Sequence, residues 1–228
     1  MKSNPDLLKL KYSIDNNRSL LVDSNTDICI GGYPRSGNTF TTVLLSELTK
    51  NEIQIAHHTH SIANLKLALK YNVPTLVLIR DPLDSLASWA IRTNKLTIEN
   101  MLQEYINYYN YIQKHCKDFL ILSFDTLTSD LNKTLIIIDE YFGFKIKHKN
   151  YESINELQNH IFDVIDNNSN KWNGNKEKWK SIAIPNQKRK KAKDKFKQQI
   201  KNLKEYSYSR ELYKNIINSK LFEGGLNE

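Results

Sequence analysis

Residues Gly32-Tyr-Pro-Arg-Ser-Gly-Asn-Thr-Phe40 follow directly on the apolar run Asp27-Ile-Cys-Ile-Gly31 and lead into apolar positions at Phe40, Val43, Leu44 and Leu48. The run predicts a buried strand over Asp27–Tyr33, and the spacing after it predicts a helix over Gly37–Leu48. A strand, a tight glycine loop and a helix start make a cradle for an anion, because backbone N–H groups and the positive end of the helix dipole meet at the loop. Gly32-x4-Gly37 fits the first half of the nucleotide-binding pattern G-x-x-x-x-G-K-[ST]. Asn38 then stands in the lysine's place, Thr39 keeps the hydroxyl, and the cation has moved into the loop as Arg35. The loop is therefore built for an anion but lacks the lysine that reaches the β- and γ-phosphates in an NTPase. The plainer alternative is an ordinary strand–turn–helix with a surface arginine.

The same alternation continues along the chain. Glu52–His60 alternates Ile53 and Ile55 and predicts a second strand, and Ile62–Tyr71 predicts a short helix. Pro74-Thr-Leu-Val-Leu-Ile-Arg80 is a continuous apolar run, as expected of a strand covered on both faces. Asp81-Pro82 starts a helix, with proline in its first turn. Ile98, Met101, Leu102, Tyr105, Ile106 and Ile112 mark a long amphipathic helix, and Phe119–Ser123 another buried strand. Leu131, Leu135, Ile138 and Phe142 mark the helix behind it, with Gly143 as its C-cap. Beyond Tyr151 the pattern weakens to polar, partly helical sequence. Strands alternating with helices predict an α/β fold of three layers, a parallel central sheet flanked by helices. Ligands of such sheets sit at the carboxyl ends of the strands. The loops after the first strand and after Pro74–Ile79 then lie on one rim.

At 228 residues the chain reads as one domain, 1–228, with 1–26 as an N-terminal extension. Two cysteines, Cys29 and Cys116, leave no disulfide framework and fit a reducing, cytoplasmic setting. Cys29 falls inside the first strand and reads as a small core residue. The N-terminus carries Lys9 and Lys11 but no sustained apolar stretch, so it does not read as a signal peptide. No run is long enough for a membrane span. Net charge is +8, and it is concentrated. Residues 171–204 hold thirteen Lys/Arg against Glu177 and Asp194, an excess of +11 that leaves the rest of the chain at −3.

A second constellation is Arg80-Asp-Pro-Leu-Asp-Ser-Leu-Ala-Ser88. An arginine ends a buried strand, and Ser88 stands eight residues on, within the next helix; both can reach one phosphate. The alternative is a strand-end arginine paired with Asp81 or Asp84. Taken together, the two motifs resemble those of the sulfotransferases that use 3′-phosphoadenosine-5′-phosphosulfate (PAPS). In that family a Tyr-Pro-(Lys/Arg)-Ser-Gly-(Thr/Asn)-Thr-(Trp/Phe) loop holds the 5′-phosphosulfate, which matches Tyr33, Pro34, Arg35, Ser36, Gly37, Asn38, Thr39 and Phe40 here. A strand-end Arg and a Ser eight residues later hold the 3′-phosphate, matching Arg80 and Ser88. The resemblance covers residues 27 to about 190 and is strongest over 27–92. It implies the P-loop-like sulfotransferase architecture.

Between the motifs lies Ala56-His-His-Thr-His60, where the family often has Lys-Thr-His. By that resemblance His60 is the base that takes the acceptor's proton, and His58 replaces the lysine. An imidazole with a near-neutral pKa suits the task. His58 and His60 would share one strand face, which also fits a metal pair, but no third ligand has suitable spacing. His57 would point the other way. Leu122-Ser-Phe-Asp125 resembles a strand-end acidic motif, with Asp125 either supporting the site or capping a helix. Phe162-Asp-Val-Ile-Asp-Asn167 resembles, faintly, a stretch near the adenine. Trp172-Asn-Gly174-Asn-Lys-Glu-Lys-Trp179-Lys180 keeps Gly174, Trp179 and Lys180 of the family's last element, Arg-Lys-Gly-x-x-Gly-x-Trp-Lys. It lacks the Arg and Lys that clamp the 3′-phosphate. Lys171, Lys176 or the run Lys188-Arg189-Lys190-Lys191 can substitute, with 171–204 closing over the donor; otherwise the run is a solvated basic helix face.

The resemblance implies sulfuryl transfer from PAPS to a hydroxyl or amine of a small-molecule or carbohydrate acceptor, with no metal. Two other classes compete. A P-loop nucleotide kinase or NTPase would need a cation in place of Asn38 and an Asp for Mg²⁺ after a strand, and Asp81 precedes proline. A nucleic-acid-binding module would use 171–204, with Tyr and Trp as stacking platforms.

Overall fold

The computed structural model describes residues 3–15, 20–93, 95–143, 152–172, 184 and 187–219. Four parallel strands form the sheet: β1 (Ile28–Gly32), β2 (Ile55–Ala56), β3 (Thr75–Ile79) and β4 (Leu120–Ser123), in the order β2-β1-β3-β4. Every residue of β1, β3 and β4 is buried, which accounts for their unbroken apolar runs. Register runs Cys29 to Thr75 and Gly32 to Leu78 between β1 and β3, and Ile79 to Ser123 between β3 and β4.

Alternation along the strands sends side chains to two cores. Ile28, Ile30, Leu76, Leu78, Leu120 and Leu122 face one side. There they meet α2 (Asn38–Leu48), α6 (Phe124–Ser129), α7 (Leu131–Phe142) and α8 (Ile154–Trp172). Cys29, Val77, Ile79 and Ile121 face the other. There they meet α3 (Ile62–Tyr71), α4 (Pro82–Arg92), α5 (Ile98–Lys114), α9 (Gln187–Lys201) and α10 (Tyr206–Asn218). The result is the three-layer α/β architecture expected from the sequence. The β1–α2–β2 crossover moves one way along the sheet and β2–α3–β3 the other, on opposite faces. A constant crossover hand demands that arrangement. The winding along the sheet therefore switches direction between the parallel neighbours β1 and β3, and the crevice beyond their carboxyl ends is the place for a ligand. Among the described residues no helix is long and apolar enough to cross a membrane.

Local signals read in the sequence recur in the caps. Asp81 caps α4 through Leu83 N at 2.8 Å, ahead of Pro82. Gly143 ends α7 in the left-handed region at φ 68°, with its N–H on Asp139 O at 2.9 Å.

One expectation needs correction. The strand expected over Glu52–His60 is only two residues long, because β2 is an edge strand that pairs with β1 alone. The chain leaves the sheet after Ala56, and His58 and His60 adopt φ of 58° and 47°, so they do not share a strand face. The N-terminal extension carries a helix, α1 (Pro5–Ile14), capped by the Asn4 side chain on Asp6 N and Leu7 N. Its one buried residue, Leu8, packs with Leu21 and Ala63 in a small separate cluster. One apolar anchor leaves too faint a period to read.

Candidate anion-binding cleft

Gly37 stands at the start of α2 with φ 102°, a conformation that a side chain opposes. Among the described residues no side chain caps this helix, so its first N–H groups are presented toward the loop. Gly32 is equally constrained: a Cβ there would lie 2.9 Å from the Leu78 carbonyl oxygen of the neighbouring strand. Asn38, in the lysine's place, turns inward. Its Nδ2 donates to Tyr33 O at 3.2 Å, and its buried Oδ1 has no hydrogen-bond partner among the described residues. Asn38 braces the loop from below, whereas an NTPase lysine reaches outward.

The corner after β3 is stitched to this loop. Arg80 Nη1 donates to Arg35 O at 2.9 Å, and Ser85 Oγ donates to Pro34 O at 2.9 Å. Arg35 Nε donates to Ser88 Oγ at 3.0 Å. The Arg80 guanidinium lies over the Phe124 ring, 3.7 Å from its centroid. Arg35 holds φ 69°, a left-handed backbone that costs a non-glycine residue about 1 kcal/mol or more and persists because these bonds over-determine it.

A layer of tyrosines on α5 supports both corners. Tyr105 and Tyr109 donate to the carbonyls of Arg80 and Leu78 at 2.7 and 2.8 Å. Tyr108 OH accepts from Gly32 N at 2.8 Å, and Tyr109 OH accepts from Tyr33 N at 3.3 Å. Tyr33 donates from its own hydroxyl to Met101 O at 2.7 Å. Burial pushes the hydroxyls of Tyr105, Tyr108 and Tyr109 well above the ordinary phenol range, so they remain neutral donors at ordinary pH.

Beneath Asn38's helix turn come the histidines. His60 Nδ1 lies 2.8 Å from Gly32 O; a carbonyl only accepts, so Nδ1 carries the proton, and in the neutral ring the lone pair is on Nε2. His58 Nε2 and Thr39 Oγ1 are 3.0 Å apart, and the His57 and His58 Nδ1 atoms also meet. Burial, then the charges of His57, His60 and Arg92, pull His58 down to about 3, so it is neutral in any physiological setting.

The far wall is basic. Arg189, Lys193 and Lys197 recur every four residues on the inner face of α9, while Lys188, Lys190, Lys191 and Lys195 are exposed. Lys197 and Lys193 hold Asp84 at 2.8 and 3.7 Å. The basic run is thus both a solvated face and a cleft wall. Burial, followed by the charges of Arg189, Arg92 and Arg80, draws Arg35 down to about 9. Lys193 falls to about 8, from burial and then Arg80. Cations crowded this way are stabilised by a bound anion.

The cleft between these walls is about 670 Å³. Pro34, Arg35, Gly37, Asn38, Thr39, Phe40, His60, Arg80 and Ser88 all line it, as does His58. Tyr33 and Ser36 do not: both are buried beneath the loop, Ser36 Oγ lying 3.4 Å from Tyr109 OH. They shape the loop from the core side. Phe40 and Phe162 line the cleft with ring centroids 5.6 Å apart, an apolar surface suited to a base. Asp125 is not the cap of α6, a role taken by Ser123. Its carboxylate accepts from Tyr213 OH at 3.4 Å and acts on Arg80 through its charge. Gly174, Lys176, Trp179 and Lys180 lie outside the described residues, and of Lys171 only its backbone place in α8 is described. Among the described residues no group of three or more His, Cys, Asp or Glu side chains is placed to hold a metal.

Sequence reasoning missed Arg92 and Lys193. The signal for Arg92 was its spacing: Asp84, Ser88 and Arg92 stand four apart on α4, and all three line the cleft.

No protein-family model matches the chain, and no curated protein matches its sequence. Among solved structures it is similar to the crystal structure of the mouse sulfotransferase SULT7A1 complexed with PAP. The two are 14% identical, with 85% of this chain and 92% of that chain covered, at a TM-score of 0.49.

Proposed function

We propose that this protein transfers a sulfuryl group from PAPS to a hydroxyl or amine of a small-molecule or carbohydrate acceptor. One observation carries the reading. Arg35 and Arg80, 45 positions apart, belong to two motifs that meet on one cleft, joined by the Arg80 Nη1 to Arg35 O bond at 2.9 Å. A ligand with anionic groups at two ends suits that spacing of charge. The residues fit the donor: an uncapped helix start and Arg35 for the 5′-phosphosulfate, Arg80 with the basic α9 wall for the 3′-phosphate, and Phe40 and Phe162 for the adenine. The cleft volume is also ordinary for a nucleotide-sized ligand.

PAPS supplies an activated sulfuryl group on a good leaving group. The chain supplies position, charge and a base. His60 Nε2 takes the acceptor proton while the acceptor atom bonds to sulfur and the bond from sulfur to the bridging oxygen breaks. The electron pair of that bond leaves with the 5′-phosphate of the product PAP. The Gly32 carbonyl holds His60 in the required tautomer. Arg35, fixed through Ser88, offsets negative charge growing on the bridging oxygen. With His58 in its Nε2–H form, Thr39 accepts from it and keeps its own hydroxyl proton for a phosphate oxygen.

The kinase reading finds no cation at Asn38, whose amide serves the loop. The nucleic-acid reading loses Arg189, Lys193 and Lys197 to the cleft. The experiment is incubation with PAPS and a panel of phenols, sterols, sugars and amines in EDTA. Release of PAP should match formation of sulfated product, with no loss of rate in the chelator. Strict Mg²⁺ dependence, or ATP turnover in its place, overturns the proposal.

A further inference from the structure

The charge on the cleft exceeds what its donor requires at one particular place. Seven Lys and Arg side chains line the cleft, against Asp84 and Asp194. A bound PAPS brings about four negative charges near neutral pH, on its 3′-phosphate and its phosphosulfate. The donor reading assigns Arg35 to the phosphosulfate and Arg80 with Arg189, Lys193 and Lys197 to the 3′-phosphate; Arg92 is assigned to neither. It closes α4 one helical turn beyond Ser88, at the exposed edge of the cleft.

Its surroundings differ from those of Arg80. Around Arg80 stand the acids Asp84, Asp125 and Asp81. Arg92 acts on Arg35, Arg189 and His58, and none of these is an acid. Among the described residues no carboxylate pairs with it and no acceptor takes its hydrogen bonds. A guanidinium presents five donors in a planar fork matched to carboxylates, sulfates and phosphates. This one lines the same cleft as His58 and His60, and its charge reaches His58, next to the place where the proposed acceptor gives its proton to His60.

We propose that Arg92 is a specificity-determining residue that receives an anionic group of the acceptor, so that the acceptors are hydroxyl or amine compounds carrying a carboxylate, sulfate or phosphate. The inference rests on the sulfuryl-transfer reading. It adds the acceptor's chemical class, which the two motifs do not specify. A neutral acceptor would leave the fork facing water and three other cationic or imidazole groups. An anionic one gains charge-assisted hydrogen bonds and relieves that repulsion.

The test is calorimetry on the full chain saturated with PAP. Two matched pairs serve as probes: 4-hydroxybenzoate against 4-hydroxybenzamide, and glucuronate against glucose. The anionic member of at least one pair should bind about tenfold or more tighter than its neutral partner, as expected for hydrogen bonds to a charged group. Arg92→Gln should erase that difference. It should leave PAP affinity within about threefold, because a charge that does not touch the donor acts only through screened Coulomb attraction. Equal binding within both pairs, no binding of any probe, or an anion preference that survives Arg92→Gln overturns the proposal. So does a large loss of PAP affinity in the variant, which would give Arg92 to the donor. If wild-type protein fails to bind PAP at all, the underlying transfer reading falls first and takes this inference with it.

Discussion

Arg35→Ala is expected to lower sulfuryl-transfer turnover by about 10²–10³-fold, the usual cost of removing one preorganised electrostatic donor from a reacting centre. Arg35 lines the cleft, is locked to Ser88 by its Nε at 3.0 Å, and offers its carbonyl to Arg80. The substitution removes the charge but keeps the carbonyl, so the Arg80 contact survives. Backbone strain is separable from this loss. Arg35 sits at φ 69°, where alanine is strained and glycine is not. Arg35→Gly should therefore be no less stable to heat than Arg35→Ala, yet equally inactive. Turnover within tenfold of wild type in either variant removes Arg35 from the chemistry. Arg35→Lys should not rescue fully, because a lysine lacks the forked geometry that bonds Ser88 and still faces the cleft.

His60→Gln should cost about 10²–10⁴ in turnover, the range for losing a positioned general base. PAP affinity should hold, since His60 is assigned to the acceptor's proton and not to either phosphate. Near-normal turnover would reduce His60 to a strut that ties the His57–His60 segment to Gly32 O.

The central strands were legible because β1 and β3 are buried on both faces, so apolar side chains fill every position of each run apart from the loop glycines and Thr75. The anion loop was legible for a related reason: glycines at 32 and 37 answer to backbone geometry that the sequence must encode locally. Nothing local encodes the histidine segment. Its strand ends at Ala56 because the edge of the sheet ends there, and His58 and His60 take left-handed conformations fixed by contacts with Thr39 and Gly32, distant in sequence. The tyrosines of α5 gave a helical period but not their work. Their hydroxyls meet the carbonyls of Leu78 and Arg80 and the N–H groups of Gly32 and Tyr33 only once α5 is packed on β1, β3 and the turns that follow them. Tyr33 and Ser36 show the converse. A motif names consecutive residues, but a tight loop turns some of them toward the core. On α9, the basic run looked uniform in sequence; the helix period puts Arg189, Lys193 and Lys197 on the cleft, leaves Lys190 exposed where it still lines it, and turns Lys188, Lys191 and Lys195 to solvent.

The most direct measurement is the affinity of the full chain for PAP and for AMP by calorimetry, repeated with Arg80→Gln. One cleft holding both phosphate ends of a single adenosine should bind PAP about ten- to a hundredfold tighter than AMP, because AMP leaves charged donors without their partner. Arg80→Gln should collapse that gap while leaving AMP binding nearly unchanged. Equal affinity of the wild-type protein for PAP and AMP would contradict the account.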